Sequence, residues 1–206
     1  MARGRLITVE GLDGAGKTTL VAALADALAA RDREVAVLRE PGGVEVSERI
    51  RELVKDPALS IHPRAEALLY AAARAQLVAE QIEPLLEAGT WVLLDRFVDS
   101  SLAYQGGGRR LGVDAIRELN RFATGGLEPD RTLLLRVDPA RGLARIAKRR
   151  EDVDRLEREK TAFFLAVATA YDELAATEPA RVVVIDAGRE PAAVLDDALA
   201  ALAPWL

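Results

Sequence analysis

The apolar residues of this 206-residue chain fall into five short runs separated by long segments with helical periodicity. Runs of this kind, apolar on both faces, are typical of parallel strands, which need crossover connections such as helices. The pattern therefore predicts a three-layer α/β sandwich with a parallel sheet and helices on each face. The predicted strands are Leu6–Val9, Val35–Leu38, Trp91–Leu94, Thr132–Val137 and Val182–Ile185.

The segments between the strands carry two features of interest. Residues 63–81 have the periodicity of one long helix, in which Tyr70 and Arg74 are four positions apart and share a face. This pair could stack on a base and bond its edge; alternatively, Tyr70 packs in the core and Arg74 pairs with Glu66 or Glu80. Near the C-terminus, Phe163, Phe164 and Tyr171 are expected to pack in the core. No linker or repeat interrupts the pattern, which predicts one domain over residues 1–206.

Composition narrows the possible functions. The net charge of −5 argues against a general binder of nucleic acids or membrane surfaces. The chain has no cysteine and one histidine, which excludes disulfides, thiolate metal sites and a histidine base apart from His62. His62 precedes Pro63, so we expect a loop or capping role. No segment approaches the ~18 apolar residues of a membrane span, and we expect a soluble, cytoplasmic protein.

A phosphate-binding motif follows the first predicted strand. Residues 11–18 read GLDGAGKT, which matches G-x-x-x-x-G-K-[ST] between a strand and a helix. In such a loop the backbone N–H groups converge on phosphate oxygens, the lysine reaches the β- and γ-phosphates, and the hydroxyl can ligate Mg²⁺. Lys17 and Thr18 are therefore predicted to bind a nucleoside triphosphate.

Asp95 and Arg96 follow the third predicted strand. Asp95 could orient Mg²⁺, as the corresponding aspartate does in phosphate-loop enzymes, or it could cap the next turn. Arginine at the next position favours binding of a second phosphate over activation of water. A phosphate acceptor is largely dianionic at neutral pH, so transfer to it needs no general base. The small polar side chains of residues 100–105 could read a base edge or cap the loop.

An arginine-rich, mixed-charge stretch follows the fourth predicted strand. It contains Arg141, Arg145, Lys148, Arg149, Arg150 and Arg155 among several acidic residues. A stretch of this composition can be a solvated helix face. It can equally be a lid that closes over the phosphates and brings an arginine to the γ-phosphoryl group.

Four motifs together resemble bacterial thymidylate kinases. They are residues 10–19 (EGLDGAGKTT), 39–43 (REPGG), 95–101 (DRFVDSS) and 103–106 (AYQG), and the resemblance runs from Leu6 to about Asp186. It implies a five-stranded nucleoside monophosphate kinase fold with a short arginine-rich lid. It also implies transfer from ATP to dTMP with Mg²⁺, and a homodimer.

The resemblance also assigns roles to individual residues. Asp13 is placed near the dTMP 3′-hydroxyl, Arg96 at the acceptor phosphate, and Tyr70 and Arg74 at the thymine. Tyr104 is placed where a ribose 2′-hydroxyl is excluded. The acceptor residues implied are Asp13, Arg39, Glu40, Arg51, Tyr70, Arg74, Arg96, Ser100, Ser101, Tyr104 and Gln105. The ATP residues are Gly11, Asp13, Gly14, Ala15, Gly16, Lys17, Thr18, Thr19 and Arg145, with Thr18 and Asp95 at the metal.

The catalytic residues implied are Lys17, Asp95, Arg96 and a lid arginine. Some members carry an arginine inside the phosphate loop, but its variable positions here hold Leu, Asp, Gly and Ala. The resemblance therefore assigns the transition-state arginine to Arg149 or Arg150, in a lid at about residues 146–157. The rival hypotheses are another nucleoside monophosphate kinase on this scaffold, or a phosphate-loop ATPase or switch. A GTPase would need an Asn-Lys-x-Asp motif, which the chain lacks.

Overall fold

The computed structural model describes residues 3–138, 141–142 and 154–206. Within them, five strands form one sheet in the order β2-β3-β1-β4-β5, and every neighbouring pair is parallel. The predicted α/β fold with a five-stranded parallel sheet is confirmed, and each predicted strand agrees within two residues. The strands are β1 (Leu6–Gly11), β2 (Val35–Arg39), β3 (Trp91–Asp95), β4 (Arg131–Arg136) and β5 (Val182–Asp186).

Helices connect the strands and cover the sheet. They are α1 (Lys17–Ala29), α2 (Glu45–Lys55), α3 (Pro63–Leu77), α4 (Glu83–Glu87), α5 (Val98–Ser101), α6 (Val113–Thr124), α7 (Thr161–Thr177) and α8 (Pro191–Leu202). Wider π-helical turns cover Val78–Ile82 and Leu102–Gly108, and a 3₁₀ turn covers Ala203–Trp205. None of the helices in the described parts of the chain is long and apolar enough to span a membrane.

The helix predicted over residues 63–81 is correct as far as Leu77. Its backbone then widens into the π-helical turn and continues as α4, where Pro84 has no N–H to donate. His62 is the N-cap of α3, and its Nδ1 accepts a hydrogen bond from the Arg64 N–H at 3.3 Å. The capping role predicted for this histidine is confirmed.

Alternation along the strands divides the core into two clusters. Leu6 packs with Val92 and Leu94 in the smaller cluster, whereas Ile7 packs with Leu93 in the larger one. The expectation that every strand is buried on both faces is wrong for the two edge strands, β2 and β5, which both have half-buried and exposed positions.

The sheet order determines where a ligand can bind. The chain runs from β1 to β2 and β3 on one side, and then crosses to β4 and β5 on the other. In open parallel sheets, ligands bind at the carboxyl ends of the strands where the order reverses. Here that edge carries the loop after β1, the residues that follow Arg39 at the end of β2, and Asp95 and Arg96 at the end of β3.

Candidate active site

The loop between β1 and α1 is bent by glycines. Gly11, Gly14 and Gly16 have φ angles of 132°, 77° and 96°, which L side chains rarely adopt. A Cβ atom at Gly11 would lie 2.4 Å from the Leu135 carbonyl oxygen, and one at Gly14 would lie 2.5 Å from that of Gly142. These two positions therefore require glycine for close packing as well as for backbone conformation.

Lys17, the first residue of α1, folds back across this loop. Its Nζ donates to the carbonyl oxygens of Gly11 at 3.2 Å and Leu12 at 3.0 Å, and lies 3.8 Å from Asp13. Burial and the nearby Arg96 cation lower the pKa of Lys17 to about 8, although Asp13 acts in the opposite direction. The ammonium group is thus poorly compensated by the protein, and a phosphate would be a stronger partner.

Thr18 and Asp95 join the start of α1 to the end of β3. The Thr18 hydroxyl donates to Asp95 Oδ2 at 3.3 Å, so this carboxylate faces α1 rather than capping the turn after β3. Hydroxyl and carboxylate oxygens are hard ligands that suit Mg²⁺. In the described residues, no group of three or more His, Cys, Asp or Glu side chains could hold a metal. Mg²⁺ at this pair would therefore complete its shell with water and phosphate oxygens, as it commonly does.

The side chain of Arg96 lies where the phosphate loop meets the rest of the site. It donates to Asp13 Oδ1 at 2.6 Å, to Ser100 Oγ at 2.9 Å and to Tyr104 Oη at 3.3 Å, and stacks 5.0 Å from the Tyr104 ring centroid. Its backbone N–H donates to the Val9 carbonyl, with φ at 71°. Non-glycine residues in this region are strained and concentrate at functional sites.

Arg74 is almost completely buried, and its guanidinium has four protein partners. Nε donates to Glu40 at 2.8 Å, Nη1 donates to Ser101 at 2.9 Å and to Asn120, and Nη2 donates to the Phe97 carbonyl at 2.9 Å and forms an ion pair with Glu40 at 2.5 Å. Four of the five guanidinium N–H groups thus donate hydrogen bonds within the described residues, and the fifth lies on Nη2 beside the Glu40 carboxylate. The alternative pairing of Arg74 with Glu66 or Glu80 is wrong, because its acidic partner is Glu40 from the loop after β2.

Glu40 has one buried oxygen without a partner among the residues that the structure describes. Its Oε2 accepts from Arg74, whereas Oε1 is buried and has no hydrogen-bond partner in the described parts of the chain. Burial raises the pKa of Glu40 to about 7 despite the Arg74 cation. Because an unpaired buried acceptor is costly, this oxygen would be stabilised by a donor from a ligand.

These side chains line one cavity of about 260 Å³ at the carboxyl edge of the sheet. All eleven residues that the resemblance assigns to the acceptor line it, together with residues assigned to ATP and the metal. The lining residues are Asp13, Gly14, Gly16, Lys17, Thr18, Thr19, Arg39, Glu40, Pro41, Arg51, Lys55, Tyr70, Arg74, Asp95, Arg96, Ser100, Ser101, Tyr104, Gln105, Asp154, Leu156 and Glu157. Gly11 and Ala15 are buried in the loop beneath it.

The two arginines at the rim are less enclosed than Arg74 and Arg96. Arg39 is exposed and pairs with Glu48 at 2.8 Å, and Arg51 donates to the Pro41 carbonyl at 2.8 Å. Both can reorient toward an anion because their present partners are few. Arg145, Arg149 and Arg150, like most of the predicted lid, lie outside the described residues.

The wall of the cavity beside Tyr70 is held by Glu66, whose side chain is completely buried. It accepts from Gln105 Nε2 at 2.9 Å, Arg109 Nη2 at 3.0 Å and Arg155 Nη2 at 2.6 Å. Arg155 also donates from Nε to the Val54 carbonyl at 2.9 Å. One carboxylate therefore joins α3, the π-helical turn after α5, and the end of the predicted lid.

Replacing Glu66 by alanine is expected to lower the free energy of unfolding by about 3–5 kcal/mol, because two largely buried arginines lose their partner. Urea denaturation would measure this loss. Glu45→Ala is the matched control, since Glu45 pairs with Arg49 in solvent and such pairs contribute little. Equal midpoints for the two variants would contradict the role of Glu66.

Comparisons with known proteins agree with this geometry. A family model described as thymidylate kinase matches residues 9–198. The chain belongs to the thymidylate kinase family.

Among similar proteins, the thymidylate kinase of Lactobacillus delbrueckii subsp. bulgaricus is 51% identical over 191 residues, which cover 91% of this chain and 90% of that protein. The Deinococcus radiodurans thymidylate kinase is 50% identical over 189 residues, covering 92% and 91%. That of Oenococcus oeni is 50% identical over 206 residues, covering 97% and 95%. Thymidylate kinases are phosphotransferases, so the predictions of the family and of an enzyme are confirmed.

Several residues around the cavity received no site role from the sequence. Glu10, Glu66 and Tyr171 are buried and support the cavity from behind, and Lys55 and Asp154 form an ion pair at its wall. Glu10 had one visible signal, a carboxylate at the end of an apolar strand. Tyr171 packs in the core as predicted, but its hydroxyl also reaches Glu10 at 2.8 Å.

Proposed function

We propose that the chain transfers the γ-phosphoryl group of ATP to dTMP, giving ADP and dTDP. The observation that supports this proposal is that the predicted acceptor residues line the same cavity as Lys17, Thr18 and Asp95. A nucleoside triphosphate on the loop and a monophosphate beside Arg96 would therefore meet in one enclosure. Holding the two reactants in line is the main requirement for phosphoryl transfer.

The donor half is formed by the loop and the start of α1. Backbone N–H groups and Lys17 bind the β- and γ-phosphates, and the helix N-terminus adds a favourable dipole. Thr18 and Asp95 would hold Mg²⁺, which would supply positive charge to neutralise the phosphate oxygens. Arg145 faces the adenine, and Arg149 or Arg150 acts on the γ-phosphoryl group from a lid at about residues 146–157.

The acceptor phosphate is bound by arginines. Arg96 is held in place by Asp13 and Ser100, whereas Arg39 and Arg51 approach from the rim. The dianionic phosphate attacks without deprotonation, so the arginines supply orientation and charge neutralisation.

The base is bound at the opposite wall. Tyr70 stacks on thymine, Arg74 and Gln105 contact its edge, and Tyr104 excludes a ribose 2′-hydroxyl. Because four N–H groups of Arg74 already donate hydrogen bonds and the fifth lies beside Glu40, a bond from Arg74 to the base replaces an existing contact. The bonds to the neutral oxygens of Ser101, Asn120 and Phe97 are cheaper to exchange than the contacts with the Glu40 carboxylate.

The proposal predicts that ADP release from Mg-ATP is negligible until dTMP is added, because the acceptor phosphate is the nucleophile that the arginines orient toward the γ-phosphoryl group. A coupled ADP assay would measure turnover with dTMP, dUMP, dCMP, UMP, AMP and GMP at fixed ATP. Rapid turnover without acceptor would favour an ATPase, and preference for another acceptor would favour a different monophosphate kinase.

We also propose that the chain forms a homodimer through α2, α3 and α6. These neighbouring helices expose Val46, Leu53, Leu68 and Phe122, and the last is 89% exposed. Sedimentation is expected to give twice the 22.2 kDa chain mass. Leu68→Asp should shift the protein toward monomers, whereas Leu165→Asp on α7 should leave the mass unchanged.

A further inference from the structure

A carboxylate lies buried beneath Arg96. Glu10, the penultimate residue of β1, has no exposed surface and accepts four hydrogen bonds. Its Oε1 accepts from the N–H groups of Phe97 at 2.7 Å and Ser100 at 3.1 Å, and its Oε2 accepts from Ser100 Oγ at 2.5 Å and Tyr171 Oη at 2.8 Å. Burying a carboxylate costs stability unless its hydrogen-bond partners compensate for the solvation that it loses.

The hydroxyl contacts of Glu10 lead to the guanidinium of Arg96. Arg96 Nη1 donates to Ser100 Oγ at 2.9 Å and lies 3.5 Å from Tyr171 Oη. A hydroxyl that gives its proton to Glu10 presents only lone pairs to a second neighbour. Ser100 Oγ and Tyr171 Oη also lie 3.0 Å from each other, and the carboxylate, as a charged acceptor, competes with this contact for their protons. With both protons on Glu10, both hydroxyls are acceptors for Arg96.

The backbone contacts of Glu10 hold the turn that carries Arg96. Both N–H groups bound by Oε1 belong to residues 97–100, directly after the positive φ angle of Arg96. Such a backbone persists only where its surroundings hold it. The pKa of Glu10 is raised, mainly by burial and also by the nearby Asp99 carboxylate. The Arg96 cation and the hydrogen-bond donors around Glu10 oppose this shift because they favour the ionised form.

We propose that Glu10 is a positioning residue that sets the Arg96 guanidinium in the orientation that receives the acceptor phosphate. The inference rests on the proposed function, in which Arg96 binds the phosphate of dTMP. It assigns a role in substrate binding to a side chain that has no access to the substrate. A purely structural Glu10 would stabilise the fold without distinguishing ligands that carry a phosphate from those that do not.

Glu10→Gln is the informative variant, because glutamine keeps one acceptor oxygen for the two N–H groups. Its amide N–H would instead donate to the hydroxyls, whose protons would then point toward Arg96. Calorimetry should show dTMP binding about tenfold more weakly, since a hydrogen bond to a charged group is worth this much, and thymidine binding unchanged. In an Arg96→Met background, Glu10→Gln should cause no further loss of dTMP affinity.

Two further variants complete the test. Thr8→Val is the matched control, since Thr8 lies on the same face of β1 and bonds to Thr132 rather than to Arg96; both affinities should remain unchanged. Tyr171→Phe removes one of the two hydroxyls and should weaken dTMP binding by about threefold, which keeps the test valid if Glu10→Gln folds poorly.

The inference is overturned if Glu10→Gln weakens dTMP and thymidine equally, or if its effect persists in the Arg96→Met background. It is also overturned if Glu10→Gln fails to fold and Tyr171→Phe leaves dTMP affinity unchanged. A different result, in which the wild-type protein binds dTMP no better than thymidine, would contradict the proposed role of Arg96 itself.

Discussion

Replacing Lys17 by methionine is expected to lower kcat for transfer from ATP to dTMP by about 10³-fold. The ammonium group lies over the phosphate loop, where it donates to two carbonyl oxygens and lies near Asp13. In the transition state, negative charge spreads over the phosphoryl oxygens, and a fixed cation stabilises it strongly in a site that excludes water. Methionine keeps the length of the side chain but carries no charge. Steady-state ADP release at saturating substrates would measure the loss.

Lys55→Met provides the matched control for this prediction. Lys55 lines another part of the same cavity, is partly exposed and pairs with Asp154 at 3.0 Å. Lys55→Met changes the charge of the cavity by the same amount as Lys17→Met, but it removes no group from the phosphate loop. A much smaller loss of kcat is therefore expected. Similar losses in the two variants would indicate a general electrostatic effect. Thermal melting of both proteins would exclude unfolding as the cause.

Replacing the transition-state arginine of the lid is expected to lower turnover by about 10³- to 10⁵-fold, or about 4 to 7 kcal/mol. The phosphate loop cannot supply this cation. Leu12 and Ala15 are buried, and a side chain at Gly14 would collide with the Gly142 carbonyl. Because a loop arginine is excluded, we propose that Arg149 or Arg150 fills the role, and turnover of Arg149→Ala and Arg150→Ala would identify which.

Binding measurements separate this role from substrate affinity. The affected variant should bind dTMP normally, since the cation acts on the transferring γ-phosphoryl group. Arg145→Ala should instead raise KM for ATP, because Arg145 is assigned to the adenine. If both Arg149→Ala and Arg150→Ala retain near-normal turnover, another residue supplies the charge.

The strands and the phosphate loop were predictable because their signals are local. Each strand is a run of consecutive apolar residues, and alternation sends Leu6 and Ile7 to opposite clusters of the core. The loop requires glycines and a lysine at fixed spacing, so the motif specifies its own geometry. The π-helical turn Val78–Ile82 interrupts the helix that the periodicity of residues 63–81 predicts, since spacing alone cannot reveal a local change in hydrogen bonding.

The contacts in the acceptor half of the site were less predictable, because they join residues that are distant in the sequence. Tyr70 and Arg74 share a face as their spacing predicts, and the family resemblance places them at the base. The partner of Arg74 was not predictable, because Glu40 is 34 positions away and meets Arg74 only when α3 packs beside the carboxyl end of β2. Glu66 likewise binds Gln105, Arg109 and Arg155, which lie 39, 43 and 89 positions away and meet it only in the folded chain.

The sequence by itself thus determined the sheet, the triphosphate loop and, through resemblance, the family and the residues around the cavity. Only the tertiary structure decided which charges pair and which side chains stand behind the site. Glu10 and Tyr171 are 161 positions apart, and their contact beneath Arg96 exists only when α7 packs on the sheet. A buried carboxylate is stable only with all its donors in place, and the fold, not the local sequence, brings those donors together.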